Sequence, residues 1–480
     1  MNRSDTQVRF NLLARLDRLP VMAIHYIWAG LLAANLTLEY YDNAIFAYAI
    51  PTIKTHTNLS LEQIGFVTSA FFVGMMIGAL VGGVLSDKLG RRSVLVWSTA
   101  LYSLGALATA FSTGYETMLA ARVVTGIGVQ AATSVLLVYV AEMFPHRARG
   151  RFGSIVSIGY VVGGIGAAAL TMFFLPHGGP NAWRHLMIAG SIGLVIAPLV
   201  RFTLPESVRW QTSKGLFGRA EAAVGNLEAR ALRYGQLDEP QIAAVIENAK
   251  EPTLRELLKH KGVLRTVTVL AIGYFGTYLG YYLYANWSAY ALINGFKYSE
   301  EHAYYVMFLW NVIYGVTPFL TMRILDRSER KSTILVTSIL SALSLAVLGI
   351  STTSWVVIGA GGVAAVITGM VINAYFTYIP ETIPTQLRAL GSGMVISGGR
   401  FGGAASGVLG AALFSHGSME AVMLAAGACY VIFAIPVVLY GPRTTNRSLE
   451  VVTRDEIGTA NGAGSIHGAG LAAVDDLRLN

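Results

Sequence analysis

Gly83-Val84-Leu85-Ser86-Asp87-Lys88-Leu89-Gly90-Arg91-Arg92 is a charged turn between two long apolar runs, and it occurs in two versions. An acid followed by bases returns in Asp326-Arg327-Ser328-Glu329-Arg330-Lys331, with Asp326 lying 239 residues after Asp87. A second motif, E-x-x-P-x-x-x-R, begins at Glu142 and again at Glu381, which are also 239 residues apart. Two independent motifs that share one offset predict a duplicated unit of about 240 residues.

The composition indicates a membrane protein. Of the 480 residues, 54% are hydrophobic and 13% are charged, and the mean hydropathy is +0.54. A soluble domain has a lower apolar share and a charged share near a quarter. Apolar runs long enough to cross about 30 Å of hydrocarbon predict an all-α integral membrane protein with twelve transmembrane helices, at 22–50, 63–86, 93–112, 117–143, 152–175, 185–203, 266–293, 302–324, 333–351, 355–380, 390–414 and 421–440.

The positions of the 35 Lys and Arg residues predict the topology. Twenty-nine fall on the side that holds both termini, with Arg323 at the inner end of the eighth run counted there; three fall on the other side, and three are counted within apolar runs. By the positive-inside rule, the side with both termini is cytoplasmic. The net charge of +8 therefore reflects topology and not a nucleic-acid partner. We expect a multi-pass protein of the plasma (cell inner) membrane, a monomer whose partners are the lipid bilayer and a small-molecule substrate.

The same pattern divides the chain into five parts. They are a basic N-terminal segment at 1–20, a six-helix bundle at 21–203, a cytoplasmic linker with short helices at 204–265, a second six-helix bundle at 266–440 and a tail at 441–480. The first apolar run is too long for a signal-peptide core, so we expect it to remain as a span. The tail lacks apolar periodicity, which predicts disorder.

The sequence gives little support for a metal site or for catalysis. The single cysteine, Cys429, has no partner thiol, and the nine histidines do not occur at ligand spacing. The glycines at Gly126-Ile127-Gly128 follow no predicted strand, which argues against dinucleotide binding. We expect no catalytic residues, no metal and no cofactor, with a proton as the coupling ion.

The charged turn resembles the loop between helices two and three of the major facilitator superfamily. That loop reads Gly, any, Leu, any, Asp, Arg or Lys, any, Gly, Arg, Arg. Pro205-Glu206-Ser207-Val208-Arg209-Trp210, the repeated E-x-x-P-x-x-x-R and Arg447-Ser448-Leu449-Glu450 narrow the resemblance to the sugar-porter-like and metabolite:proton symporter branches. The resemblance covers roughly residues 13 to 450. It implies two pseudo-symmetric six-helix bundles, the major facilitator fold, which open alternately to either side of the membrane.

Asp42 in the first span and Arg122 in the fourth are the predicted proton-coupling residues. An ionisable group in hydrocarbon costs roughly 3 kcal/mol or more, so it faces water or a partner. Helical rise places both within roughly 15 Å of the outer surface. Desolvation and a nearby guanidinium act oppositely on a carboxyl group, so helix motion could drive proton uptake or release. The resemblance implies the same proton site, and the alternative is a static ion pair between two helices.

Arg400 lies about ten residues into the eleventh span, and the second half has no acidic residue at membrane depth to neutralise it. A guanidinium binds a carboxylate with two hydrogen bonds, which predicts an organic acid as substrate. The alternative is that Arg400 pairs with backbone carbonyls, Asp42 or Glu39. The aromatic seventh span lacks the glutamines that the sugar-porter resemblance implies for sugar hydroxyls. The predicted substrate-binding residues are Arg400, Tyr41, Gln130, Tyr278, Tyr282, Asn286 and Asn373.

The charged motifs at the inner helix ends are predicted to form a cytoplasmic gate. Charges from the two halves can pair there when the inner mouth is closed, although an exposed pair contributes only about 0 to 1 kcal/mol. The alternative is a role in topology and solubility alone. The predicted gate residues are Asp87, Arg91, Arg92, Glu142, Arg149, Asp326, Arg330, Glu381 and Arg388.

Two spans also carry ladders of small residues, which allow close approach of another helix. The superfamily resemblance implies that these two spans meet between the halves, where the ladders serve either plain packing or sliding. They are Gly74, Gly78 and Gly82 in the second span, and Gly399, Gly403, Gly407 and Ala411 in the eleventh.

These observations predict a secondary active transporter that works by alternating access and couples proton entry to uptake of a small organic acid or related metabolite. Proton-coupled sugar uptake and drug:proton antiport are the alternatives within transport. A transporter-like receptor is the alternative from another class, but it would not need a proton site such as Asp42.

Overall fold

The computed structural model describes residues 3–240, 261–325, 327–383 and 387–442 of the chain. These residues form two bundles of six membrane-length helical spans, which confirms the predicted all-α fold. We number the spans 1 to 12 in chain order. They run over Ala23–His56, Leu61–Leu89, Arg91–Ala110, Tyr115–Met143, Arg149–Phe174, Gly179–Thr203, Lys261–Gly295, Glu300–Leu325, Arg330–Ile350, Ser354–Thr382, Arg388–His416 and Met419–Tyr440.

Ten of the twelve spans are apolar enough to cross a membrane by length and composition alone. The other two are spans 1 and 11. Span 1 contains Glu39 and Asp42, and span 11 contains Arg400 together with many glycines. Ionisable residues and glycines in the interior therefore weaken the hydropathy signal of the two helices that carry them.

The two halves repeat one packing pattern. In the first half span 1 packs on span 5, span 2 on span 4, and span 3 on spans 4 and 6. In the second half span 7 packs on span 11, span 8 on span 10, and span 9 on spans 10 and 12. Each pair in one half has its counterpart six spans later, as expected for a duplicated unit.

The two ends of the bundle differ in what they carry. One end holds an N-terminal helix, Arg3–Asp17, and two linker helices, Val208–Ser213 and Phe217–Ala231. We call this end the basic face, since it is the end that the charge distribution predicts to be cytoplasmic, and the other end the opposite face. The predicted tail from residue 443 onward lies outside the described residues.

The N-terminal helix packs against the linker. Arg15 forms ion pairs with Glu221 at 2.7 Å and with Glu228 at 2.6 Å, and Arg18 pairs with Glu228 at 2.6 Å. Leu12 and Leu16 are buried beneath these charges. The N-terminal segment and the linker, which are separate in sequence, thus form one cap on the basic face. We call the three ion pairs the cap clasp.

The two glycine ladders have different partners, which corrects part of the expectation. A Cβ added at Gly74, Gly78 or Gly82 would collide with the backbone of span 4. That ladder therefore packs inside the first half and does not face span 11. Span 2 meets span 11 through another helical face, where Gly65 lies against Gly407. The spacing of small residues indicates that one face of a helix allows close approach, but the rotation of the helix about its axis decides which neighbouring helix packs on that face.

The contacts described between the halves extend from the middle of the bundle to the opposite face. The Tyr40 and Tyr281 hydroxyls lie 2.9 Å apart. The Asn311 amide nitrogen donates to the Tyr48 hydroxyl at 3.0 Å, and the Tyr304 hydroxyl donates to the Tyr48 carbonyl at 3.2 Å. The ion pairs described between spans at the basic face stay within one half. In this conformation the halves are joined at the opposite face.

Candidate functional site

Asp42 and Arg122 form a buried ion pair between spans 1 and 4. The Arg122 Nη1 atom donates to Asp42 Oδ2 at 2.7 Å, and the two side chains are 1% and 0% exposed. The guanidinium also lies between two rings, 4.5 Å from the centroid of Phe46 and 4.3 Å from that of Phe71. Cation–π contacts gain strength when the cation is desolvated. Arg122 is thus held by one carboxylate and two aromatic faces.

The second Asp42 oxygen lies beside span 6. Oδ1 has no hydrogen-bond partner among the described residues. A Cβ added at Gly190 of span 6 would lie 3.6 Å from this oxygen and 3.7 Å from the Ala106 side chain. An acid inside an apolar span is expected to face water or a partner, and Asp42 faces Arg122. The pair is closed to solvent in this conformation.

Arg400 lies between the halves among tyrosines. It is half-buried in span 11, and it lies within electrostatic range of four tyrosines from spans 5 and 7: Tyr160, Tyr274, Tyr278 and Tyr282. The Tyr282 ring packs on Phe72 of span 2 at a centroid distance of 4.5 Å. A guanidinium surrounded by aromatic side chains can bind an anion whose remaining part is apolar or aromatic.

Glu39 is the acidic residue beside this site. From the sequence it is predicted only as one alternative partner of Arg400, not as a site residue. Its side chain is buried beside Thr133 of span 4 and lies within electrostatic range of Arg400 across the halves. One carboxylate oxygen has no hydrogen-bond partner among the described residues. The sequence feature that could have identified Glu39 as a site residue is the one used for Asp42, an acidic residue inside an apolar run.

Tyr41 does not reach the Arg400 site, contrary to its prediction as a substrate-binding residue. Its hydroxyl donates to the Leu186 carbonyl of span 6 at 2.9 Å, inside the first half. The preceding residue, Tyr40, points to the second half and meets Tyr281. Successive helical residues differ by about 100° in direction, so adjacent tyrosines face different halves.

The predicted amide residues occupy three different environments. Gln130 is buried on span 4 and donates to the Ser134 hydroxyl at 3.3 Å, with its own carbonyl oxygen unpartnered among the described residues. Asn286 is buried in span 7 and its amide nitrogen likewise lacks a described partner. Asn373 donates to Thr321 at 3.4 Å within the second half. These contacts do not place Asn373 at the Arg400 site.

The basic-face motifs form the same ion pair once in each half. Arg91 pairs with Glu142 at 3.1 Å, and Arg330 pairs with Glu381 at 3.1 Å. Both partners are shifted by 239 residues, so the sequence repeat becomes a structural repeat. Arg91 also pairs with Asp87 at 2.7 Å.

The remaining predicted gate residues are Arg92, Arg149, Arg388 and Asp326. Arg92 donates through Nη1 to the Leu204 carbonyl at 3.3 Å, inside the first half. Arg149 and Arg388 begin spans 5 and 11 at the basic face. Asp326 lies outside the described residues. The predicted pairing across the halves therefore stays a prediction for a conformation that is closed at the basic face.

The comparison with protein families decides the identity. Residues 30–455 match the model of the family described as "Sugar (and other) transporter". The chain belongs to this family. It is thus a major facilitator superfamily transporter in a membrane that its spans cross many times, and its relatives are transporters and not enzymes.

Similar curated proteins cover nearly the whole transporter. It is 24% identical to the niacin transporter NiaP of Acinetobacter baylyi over 444 residues, which cover 92% of this chain and 99% of the relative. It is 28% identical to the gallate transporter of Pseudomonas putida, over 84% of this chain and 88% of the relative.

A solved structure agrees with the fold. The inward-open xylose transporter XylE of E. coli superposes with a TM-score of 0.70 at 18% sequence identity. The superposition covers 89% of this chain and 99% of that one. This likeness confirms the twelve-span fold, and the substrate is a separate question.

Proposed function

We propose that this transporter couples proton entry to the uptake of a small organic acid, and that an aromatic ring bearing a carboxylate is its preferred substrate. The observation that carries this proposal is the position of Arg400 between the halves, among Tyr160, Tyr274, Tyr278 and Tyr282. The guanidinium would bind the carboxylate through two hydrogen bonds. The tyrosine rings would pack on the substrate ring.

The curated relatives support this substrate class. Two of them are named for niacin and gallate, both of which are aromatic rings that bear a carboxyl group. Their sequence identity to this chain is 24% and 28%. The charge of Arg400 fits such anions better than neutral sugars, and it opposes cationic drugs.

The proposed coupling uses the two acids of span 1. A substrate carboxylate at Arg400 competes with Glu39 for the same positive charge. A buried carboxylate that loses its counter-charge takes up a proton more readily. Substrate binding and protonation of Glu39 would therefore favour each other, which is the thermodynamic requirement for symport.

Asp42 would exchange its proton in another conformation. Both it and Arg122 are shielded from solvent here, where the halves are joined at the opposite face. Separation of the halves on that side would rearrange the ends of spans 1 and 4 and admit water to the pair. The proposal places the basic face and both termini in the cytoplasm of a cell whose plasma (inner) membrane holds the transporter as a monomer.

Uptake by the purified protein in liposomes tests the proposal. An inward pH gradient is imposed, and accumulation is measured for nicotinate, gallate, an aliphatic acid, xylose and a cationic dye. We expect accumulation of the aromatic carboxylates that a protonophore abolishes. Accumulation of xylose alone would establish the sugar alternative, and proton-driven export of the dye would establish antiport. Binding of an acid without net transport would indicate a receptor.

A further inference from the structure

A crevice opens at the opposite face within the first half of the transporter. Its volume is about 460 Å³, which is room for several waters, since each takes about 30 Å³ in the liquid. The loop after span 1, the loop before span 4 and Arg184 at the start of span 6 form its walls. Every described residue that lines it belongs to the first half, so the crevice is distinct from the cleft between the halves.

Met118 is the lining residue that lies deepest within a span. It is 2% exposed and precedes Arg122 by four residues in span 4. The two residues therefore share one face of the helix and lie about 6 Å apart along its axis. Helical side chains lean toward the N-terminus of their helix. Because span 4 begins at the opposite face, the Arg122 side chain leans toward Met118 and the crevice.

Spans 3 and 6 place the crevice equally close to Asp42. A Cβ added at Gly190 of span 6 would lie 3.6 Å from Asp42 Oδ1 and 3.7 Å from the Ala106 side chain of span 3. One turn nearer the opposite face, the Ala110 carbonyl accepts a hydrogen bond from Arg184, which lines the crevice. About one helical turn on each of two spans therefore separates the crevice from the ion pair.

The ion pair has two polar atoms available for water. Arg122 Nε is a donor and Asp42 Oδ1 an acceptor, and each lacks a hydrogen-bond partner among the described residues. Buried polar atoms are nearly always bonded to protein or to ordered water. A donor and an acceptor one turn below a wet crevice can therefore bond to water that enters from it.

The groups around the crevice can exchange protons with the solution. His56, at the end of span 1, is exposed and lines the crevice. Histidine changes its charge between about pH 5 and 8, which suits it to pass protons on. The other charged or titratable groups that line the crevice or neighbour its lining residues are Lys54, Glu62, Tyr115, Glu116 and Arg184.

We propose that protons reach Asp42 from the opposite face through this crevice, and that the Met118 side chain opens and closes the route. This inference rests on the proposed role of Asp42 in proton coupling. The proton passes from water to the Asp42 carboxylate, and Arg122 keeps its charge. Methionine is unbranched and adaptable, so a small shift of spans 1 and 4 is enough to displace it. Substrate passes between the halves, and proton and substrate thus have separate entrances.

Thiol labelling tests whether the crevice leads to Met118. Cys429, the only cysteine of the chain, is replaced by serine, and Met118→Cys is added. A charged, membrane-impermeant methanethiosulfonate is applied from the opposite face. Met143→Cys is the matched control, since Met143 is 1% exposed at the other end of the same span. We expect Met118→Cys to react about tenfold faster, because thiol reactivity requires access. Equal rates would overturn the proposal.

The same adduct separates the proton route from the substrate path. Labelled Met118→Cys should lose accumulation driven by a pH gradient and keep counterflow exchange of substrate. The adduct is added after folding, so the loss cannot be a folding defect. Met118→Phe should show the same split without a label, and Met143→Phe should keep both activities. Loss of both activities on labelling would place Met118 on the substrate path and contradict separate entrances.

Asp42→Asn distinguishes failure of this route from failure of the proposed function. If the Asp42 variant keeps accumulation driven by a pH gradient, the proton site is wrong and the route is rejected with it. If the Asp42 variant loses accumulation but labelled Met118→Cys keeps it, Asp42 remains the proton site and the crevice route alone is rejected.

Discussion

Arg122 donates a 2.7 Å hydrogen bond to Asp42 at a point where both side chains are almost completely buried. Removing two charges from water is costly, and each is tolerated because the other is present. The pair joins span 1 to span 4, the two helices on which proton coupling is proposed to depend.

Asp42→Asn should abolish accumulation driven by a pH gradient and retain counterflow exchange of substrate. An amide of the same shape cannot bind and release the coupling proton, but it leaves the substrate path intact. Both activities are measured in the same liposomes. Glu62→Gln is the control, since it removes an exposed acid from the first turn of span 2. Unchanged accumulation in the Asp42 variant would reject this residue as the proton site.

Arg400→Ala should raise the KM for an aromatic carboxylate at least tenfold, because a charge-assisted hydrogen bond contributes about 1.5 to 3 kcal/mol. The KM of the Arg400→Lys variant should lie between those of the wild type and the Arg400→Ala variant, since lysine keeps the charge but loses the forked geometry. Uptake is compared with the amount of folded protein in the membrane, and Arg219→Ala is the exposed control. Equal losses of uptake and protein would instead favour a structural role for Arg400.

Tyr48→Phe should weaken the closure of the opposite face. The hydroxyl accepts from Asn311 across the halves, and a typical hydrogen bond contributes about 1 kcal/mol, which corresponds to roughly a fivefold shift in the equilibrium. Amide hydrogen exchange near 56–61 and at the start of span 8 should accelerate. Tyr139→Phe is the matched control, because its hydroxyl donates to the Pro205 carbonyl inside one half. Equal acceleration in both variants would contradict a gating role for Tyr48.

Gly78→Ala should lower the thermal unfolding midpoint. A Cβ at this position collides with the Ile127 backbone of span 4, and overpacking of this kind costs about 1 to 3 kcal/mol. Gly83→Ala is the control, because open space surrounds that position. The Gly83→Ala change should leave the unfolding midpoint unchanged or raise it, since alanine has a higher helix propensity than glycine. The reverse order of stability would show that span 2 does not pack on span 4 as described.

The cap clasp should weaken at acid pH. The hydrogen bond from the Arg15 guanidinium lowers the pKa of the Glu228 carboxyl below its ordinary value. A carboxyl with a lowered pKa in the folded state contributes its full stability above its unfolded pKa and loses that contribution as pH falls through the folded pKa. Proteolysis of the N-terminal helix should therefore accelerate on acidification.

Two charge-removing variants check the clasp. Glu228→Gln should expose the N-terminal helix to protease at neutral pH and remove most of the pH dependence. Glu221→Gln should have a smaller effect, since Glu221 is 55% exposed and contacts Arg15 alone within the clasp. An unchanged pH profile in the Glu228 variant would assign the acid sensitivity to another group.

Much of the fold could be predicted because hydropathy and duplication are properties of the chain itself. The observed spans begin and end within six residues of the predicted runs. The 239-residue offset predicted that Arg91 and Glu142 have counterparts, and the structure forms the same pair with Arg330 and Glu381. Helical rise also predicted that Asp42 and Arg122 lie at compatible heights in spans 1 and 4, and the two side chains form an ion pair at 2.7 Å.

The sequence by itself determined where the long apolar helices lie, how they repeat and at what height along its own helix each charge lies, because these follow from local composition and from distance along the chain. Tertiary structure decided which neighbour each side chain meets. It turned Tyr40 rather than Tyr41 toward the second half, brought Glu39 near Arg400, and placed Gly78 against span 4. Helix rotation and lateral packing depend on contacts between residues far apart in the chain, which no local pattern specifies.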